Sequence, residues 1–228
     1  MKLLALDTAL DACSVAVLDG PAVLAQRSEP MQRGHQERIA PMVAEAMAEA
    51  GLGFAELDRI AVAIGPGSFT GVRVGLAFAK ATALALDIPC IGIGTLELLA
   101  ASAPDTEGSG GAAGLIAAAI DAKRDQVYLQ PFRDGEALDP PTALDIEAAV
   151  ARLQALGFGA GGALTGSGAA LLAERVAGAR VVGGVGTDVT ALGSLALQRP
   201  TPAGRPQPLY LRAPDAKTIA ERAAAAAS

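Results

Sequence analysis

Two acidic turns are the first features of this sequence that could support chemistry. Residues 3–7 form an apolar run that ends at Asp7 and is followed by Thr8, and residues 115–121 repeat that form and end at Asp121. Both runs predict buried strands that deliver a carboxylate to the strand end. Two such strands, each opening a similar series of elements, indicate a two-lobed phosphate-binding fold, in which these turns face each other across a cleft.

The residues after the two aspartates differ from those of a phosphate cradle. Such cradles usually carry glycines, which let backbone N–H groups approach the anion. Here Asp7 precedes Thr-Ala-Leu, and Asp121 precedes Ala-Lys-Arg. We therefore predict that the chain requires no cofactor of its own. An ATP-dependent kinase or ligase of the same fold is the alternative interpretation.

A glycine turn precedes the most apolar segment of the chain. Gly65, Gly67 and Ser68 lie just before a predicted helix, and a helix N-terminus attracts anions. These residues, with Asp7 and Thr8, are therefore the candidate nucleotide- or anion-binding set, although the same glycines also suit a tight turn. Residues 157–162 match the dinucleotide pattern GxGxxG, but they follow a helix and precede a strand, which reverses the required context.

The residues needed for metal or nucleophilic catalysis are scarce. His35 is the only histidine, so it cannot form a His-His metal pair or, in a polar link before a helix, a convincing catalytic triad. A peptidase is therefore the least favoured alternative, and no metal site is expected. Cys13 and Cys90 have no metal or redox spacing, which indicates small core residues in a reducing compartment.

Small residues recur every fourth position along the predicted helix 71–86. Gly71, Gly75, Ala79 and Ala83 share one face, and such a face allows close approach of another backbone. The pattern leaves two interpretations open: a helix packed tightly on its own sheet, or a helix packed on another protein. A membrane span is not expected, because charged residues interrupt the run.

Length and order of elements predict an α/β protein with a duplicated β-β-β-α-β-α unit. The 228 residues are 51% hydrophobic and 3% aromatic, with a net charge of −6, which disfavours a broad nucleic-acid surface. We expect one lobe at 1–103, a second at 112–212 and a tail at 213–228. The last helix or strand of the second lobe could pack back on the first.

Several sequence blocks together resemble one family. They are Leu4-Ala-Leu-Asp-Thr-Ala9 with Ala12-Cys-Ser-Val-Ala16, Gly65-Pro-Gly-Ser-Phe-Thr-Gly-Val-Arg-Val-Gly75, Ile120-Asp-Ala122 and Tyr210-Leu-Arg212. The chain is similar to the TsaB family, also called YeaZ, from residue 2 to about residue 212. The block that begins at Gly65 is highly specific, and the others support it.

The resemblance implies a two-lobed actin-like and Hsp70-like ATPase (ASKHA) fold and a cytoplasmic protein that is not itself an enzyme. Such a subunit pairs with a TsaD paralogue and works with the small ATPase TsaE. The paralogue transfers threonylcarbamoyl to N6 of the adenosine next to the anticodon, in tRNAs that read codons starting with A. The resemblance also implies a homodimer when the partner is absent, indirect contact with tRNA and no membrane, with ATP or ADP as a candidate ligand of the assembled complex.

The resemblance also places the partner interface on the helices of the first lobe, here 37–51 and 71–86. The residues expected there are Ile39, Val43, Met47, Gly71, Val72, Gly75 and Ala79. On this basis a Gly75→Leu variant should stay folded and lose pairing. The paralogue holds a metal with a His-x-x-x-His pair, but Ile39 lies four residues after His35, so that metal site is absent.

Overall fold

The computed structural model of the chain describes residues 1–104 and 114–212. The first lobe is built on a five-stranded sheet of order β3-β2-β1-β4-β5, in which β1 runs antiparallel to β2 and parallel to β4. Its elements are β1 (Lys2–Asp7), β2 (Ala12–Asp19), β3 (Ala22–Pro30), α1 (His35–Ala50), β4 (Arg59–Ala63), α2 (Phe69–Leu86), β5 (Cys90–Ile93) and α3 (Thr95–Ala101).

The second lobe repeats this plan. Its sheet has the order β11-β10-β6-β7-β8, and β9 also pairs with β7. Its elements are β6 (Leu115–Lys123), β7 (Gln126–Arg133), β8 (Glu136–Ala137), β9 (Thr142–Asp145), α4 (Ile146–Ala155), β10 (Ala163–Thr165), α5 (Ala169–Ala173), β11 (Arg180–Val181) and α6 (Val189–Gln198). The duplicated α/β plan predicted from the sequence is therefore present.

Helices cover both faces of the first sheet, which explains why residues 3–7 of β1 are all buried. Helices α1 and α2 pack on one face and α6 on the other. Helix α3 contacts β6 and β7 of the second sheet, so each lobe's last helix packs on the sheet of the other lobe. The two lobes therefore share parts of their hydrophobic cores.

Polar caps fix the helix starts largely as the sequence predicts. Ser68, Asp145 and Asp188 accept backbone N–H bonds at the starts of α2, α4 and α6. Thr95 has the residue type of a cap, but Gly94 is the N-cap of α3 and Thr95 is buried inside the helix. Residues 209–212 form no strand: of these, only the Leu209 N–H bonds to the backbone of the first lobe, at the Ile64 carbonyl oxygen just after β4.

The expected partner-interface residues are all buried in the first lobe's own core, so this prediction is wrong at residue level. Ile39, Val43, Met47, Gly71, Val72, Gly75 and Ala79 are buried. The apolar stripes of α1 and α2 point at the sheet because burial of these side chains holds the lobe together. Only the opposite faces of these helices are available to a partner.

The glycines of α2 make room for the end of β1. A Cβ on Gly71 would overlap the carbonyl oxygen of Thr8, and a Cβ on Gly75 would overlap the Thr8 hydroxyl. That hydroxyl donates a 2.7 Å hydrogen bond to the Gly71 carbonyl oxygen. Of the two interpretations of the small-residue face, the structure thus shows close packing on the chain's own sheet.

Among the described residues, α2 is the one helix that is long and apolar enough to span a membrane, with a mean hydropathy of 1.3. Its glycine face is docked on the turn after β1, and Arg73 and Lys80 lie within it. Its apolar character therefore serves the core on one side and leaves apolar surface on the other.

The close contact at Thr8 predicts that a substitution which usually stabilises a helix will destabilise this one. Gly→Ala inside a helix ordinarily stabilises by about 1 kcal/mol, but Gly71→Ala should destabilise the protein by about 2–3 kcal/mol, because Cβ would overlap a strand-end carbonyl. Chemical denaturation measures this change. Ala81→Leu on the exposed face of α2 is the control and should change stability by less than about 0.5 kcal/mol.

Wild-type stability in Gly71→Ala would contradict this account of α2. The same contact corrects the expectation for Gly75→Leu. That substitution should damage the first lobe itself, because the new side chain would displace Thr8, and it therefore cannot report on partner binding.

Candidate functional site

A cleft of about 580 Å³ lies between the lobes, where the ends of β1 and β6 meet. The predicted turns do face each other across it, with Asp7 on one side and Asp121 on the other. The cleft is lined by Asp7, Ala9, Leu10, Asp11, Ala12, Ser28, Gly67, Ser68, Ile120, Asp121, Ala122, Lys123, Tyr128, Ser167, Val185, Gly186 and Thr187. Among these described lining residues, the carboxylates outnumber the single cationic side chain, Lys123.

Asp7 is buried and its carboxylate is held by its own chain. One oxygen accepts the Ala9 N–H at 2.8 Å, and the other accepts the hydroxyl of Thr187 from the loop before α6. Burial raises the pKa of Asp7 above its ordinary value, although both hydrogen bonds and the charge of His35 act to lower it. An aspartate with these partners is poorly placed to receive a phosphate or a hydrated metal ion.

Asp121 is also satisfied within its own turn. Its carboxylate accepts the Lys123 N–H at 2.8 Å and the Lys123 ammonium at 2.6 Å, and this pairing lowers the pKa of Asp121. The Ser167 hydroxyl accepts the Asp121 N–H at 3.1 Å. The cation nearest to this side of the cleft is therefore neutralised locally.

The candidate anion-binding residues do not fit a polyphosphate. Thr8 is buried against α2, and Gly65 lies outside the cleft, where a Cβ would come within 2.9 Å of the Leu209 carbonyl oxygen. Gly67 and Ser68 do line the cleft, but a Cβ on Gly67 would overlap the Ala9 carbonyl oxygen.

Two N–H groups at the start of α2 bond within the chain. The Ser68 N–H bonds to the Ala9 carbonyl oxygen at 2.7 Å, and the Gly71 N–H bonds to the Ser68 hydroxyl at 3.2 Å. The glycines thus let two chain segments touch, and the Ser68 and Gly71 N–H groups are not free to bind an anion.

The side chains for metal binding or covalent catalysis are not assembled in residues 1–104 and 114–212. No group of three His, Cys, Asp or Glu side chains in this part could hold a metal ion. His35 is buried at the start of α1, and its Nε2 has no hydrogen-bond partner among the described residues. Burial raises the pKa values of Cys13 and Cys90 to about 11, so both thiols stay protonated at neutral pH.

Sequence reasoning missed Thr187 as a member of this site. It lies 180 residues from Asp7, in a loop whose sequence predicts only a helix cap at Asp188. A threonine beside a cap residue carries no local signal for a partner in another lobe. Only the return of α6 to the first sheet brings Thr187 to Asp7.

A second candidate surface lies on the outer faces of α1 and α2. Ala40, Ala44 and Ala48 on α1, and Ala77, Ala81 and Ala85 on α2, are all exposed and recur every fourth residue. Leu84 beside them is 59% exposed. Charged residues flank this face on α1, where Arg38 bonds to Glu45 at 2.9 Å. The face is smooth and weakly charged at its centre.

The buried carboxylate at the cleft predicts a pH effect. A raised pKa in the folded state means that Asp7 binds its proton more tightly when folded, so stability falls as pH rises above the ordinary value of 3.8. Asp7→Asn should therefore unfold at higher denaturant concentration than wild type at neutral pH, with the advantage shrinking towards pH 3.8. An advantage that is absent at neutral pH, or that grows on acidification, would contradict the assignment.

Comparison with known proteins identifies the family. Residues 24–198 match the family model described as "TsaD: tRNA N6-adenosine threonylcarbamoyltransferase". The tRNA threonylcarbamoyladenosine biosynthesis protein TsaB of Escherichia coli is 39% identical over 136 residues, which cover 60% of this chain and 57% of that protein. The chain thus matches little more than half the length of this relative.

Other relatives match over nearly the full length. An uncharacterized Mycobacterium tuberculosis protein, Rv3421c, is 34% identical to this chain. The match covers 95% of this chain and 94% of that protein. YeaZ from Pseudomonas aeruginosa has a TM-score of 0.71 at 32% identity, covering 86% of this chain and 90% of that one. A second Pseudomonas aeruginosa structure, of an uncharacterized protein with similarity to peptidase YEAZ, has a TM-score of 0.74 at 30% sequence identity. The match covers 92% of this chain and 99% of that one.

These likenesses, together with the duplicated topology, confirm the two-lobed α/β fold, which the chain shares with the YeaZ structures. The relatives from Escherichia coli, Haemophilus influenzae and Bacillus subtilis are each named tRNA threonylcarbamoyladenosine biosynthesis protein TsaB. The chain belongs to the TsaB (YeaZ) family.

Proposed function

We propose that this protein is the non-catalytic subunit of a cytoplasmic complex that makes threonylcarbamoyladenosine in tRNA. It pairs with a TsaD-like paralogue and works with a TsaE-like ATPase. The paralogue transfers the threonylcarbamoyl group to N6 of the adenosine next to the anticodon, in tRNAs that read codons starting with A. This chain contacts tRNA only through the complex and forms a homodimer when the partner is absent.

The exposed alanine rows of α1 and α2 carry this proposal. Six exposed alanines on two adjacent helices let a partner helix approach closely without a loss of side-chain entropy. Both helices are fixed on the sheet by their opposite faces, so the surface is already organised before binding. The proposed interface therefore uses the two helices expected from the sequence, but the faces opposite to the expected ones.

The cleft supports a non-catalytic role. The donors and carboxylates around Asp7, Ser68 and Asp121 bond to their own chain. We propose that this chain binds no nucleotide alone and that ATP or ADP is held only in the assembled complex. A kinase or ligase would need a phosphate cradle, which these residues do not provide.

Pairing can be tested with a charge placed on the alanine face. Ala44→Arg and Ala81→Arg should each weaken binding to the His-x-x-x-His paralogue of the same organism more than about 100-fold, because an uncompensated charge would be buried at about 3 kcal/mol or more. Light scattering after size exclusion measures complex formation, and titration calorimetry measures Kd.

Ala151→Arg is the matched control, since Ala151 is an exposed helix alanine in the second lobe. It should pair as wild type does. Normal pairing in both first-lobe variants would place the interface elsewhere, and a wild-type chain that forms no complex even with nucleotide and the small ATPase would refute the proposed function.

The kinase or ligase alternative is tested by ATP–magnesium titration of the isolated chain. We expect no heat of binding at millimolar nucleotide, because the cleft donors bond within the chain. Saturable binding that is lost in Asp7→Ala would instead favour that alternative.

A further inference from the structure

Phe69, Arg73 and Tyr210 form an exposed cluster at the start of α2. The Arg73 guanidinium carbon lies 3.7 Å from the Phe69 ring centroid, and its Nε donates a 2.8 Å hydrogen bond to the Tyr210 hydroxyl. The two rings are 5.4 Å apart and are 44% and 40% exposed. An exposed arginine is thus held in one orientation by two aromatic side chains.

The outer edge of this guanidinium is available to a ligand. Phe69 covers one of its faces and Tyr210 takes Nε, while no ion pair within the described residues involves Arg73. The first turn of α2 contains no acidic residue, so the positive end of the helix dipole adds to the charge of Arg73. The two terminal nitrogens form a fork that matches a carboxylate.

The cluster continues the outer face of α2. Phe69, Arg73, Ala77, Ala81 and Ala85 recur every fourth residue, and all are exposed. Arg73 therefore lies at the N-terminal end of the alanine row that carries the proposed pairing. A partner helix laid along this row would reach Arg73 with one of its own side chains.

We propose that Arg73 receives a carboxylate side chain of the protein partner that covers the outer face of α2, with Phe69 and Tyr210 as positioning residues. This inference rests on the proposed function, because the partner is the TsaD-like paralogue. A nucleic-acid ligand fits less well: Arg73 already covers a face of the Phe69 ring on which a base would stack, and the chain carries a charge of −6.

The test compares dissociation constants for the paralogue by titration calorimetry at several salt concentrations. Arg73→Gln should raise Kd about tenfold and flatten its salt dependence, and Arg73→Lys should recover the salt dependence but only part of the affinity. Tyr210→Phe keeps the ring and removes the hydroxyl, so it should raise Kd by about threefold. Arg133→Gln, an equal charge change at an exposed site in the second lobe, is the control and should match wild type.

The outcomes separate the inference from the proposed function. If Arg73→Gln pairs as Arg133→Gln does while Ala81→Arg abolishes pairing, the carboxylate contact is refuted and the proposed pairing stands. If wild type does not pair at all, both are refuted. Weaker tRNA binding by the complex in Arg73→Gln, with pairing unchanged, would assign Arg73 to RNA and overturn the inference. Equal thermal unfolding of all variants confirms that the folded chain is being compared.

Discussion

The contact between helix α2 and the turn after β1 is the constraint on which the rest of the structure depends. Glycines at 67 and 71 leave room for the carbonyl groups of Ala9 and Thr8. Because the two segments are this close, the Ser68 N–H donates to the Ala9 carbonyl oxygen and the Thr8 hydroxyl donates to the Gly71 carbonyl oxygen. Side chains at these glycines would overlap those carbonyl groups and push the start of α2 away from the sheet.

The lobes are joined by elements that cross between them. Helix α6 returns to the first sheet, where Arg59 donates to the carbonyl oxygens of Ala196 and Arg199 at its C-terminal end, at 2.8 and 3.1 Å. After it, the chain bonds to the first lobe through Leu209 and to the second through Arg212, whose guanidinium donates to the Ala122 carbonyl oxygen at 3.1 Å. With Thr187 on Asp7, these contacts hold the cleft in one arrangement. A nucleotide-driven hinge would have to break several of them.

The sequence predicts those features that depend on local pattern. Strand β1, the cap at Ser68 and the apolar stripe of α1 follow from residue types and periodicity. The side of α2 that packs on the sheet does not follow from local pattern, because alanines and glycines recur every fourth residue on both sides of this helix. Hydropathy cannot separate a glycine needed for a strand end from an alanine left exposed. The Asp7–Thr187 contact also could not be predicted from local sequence, because it depends on the return of α6 to the first sheet.

The two faces of α2 have different roles, because one packs on the sheet and the other is exposed. The inner face lets β1 approach, and this approach brings the Ala9 carbonyl oxygen to the Ser68 N–H, a donor that a phosphate site would need. Within residues 1–104 and 114–212, the alanine row of the outer face stays exposed, and Arg73 is held at one end of it by Phe69 and Tyr210. The chain thus satisfies the Asp7 and Asp121 carboxylates of its cleft internally. Its exposed, organised chemistry lies instead on the outer helices, where only another macromolecule is large enough to cover it.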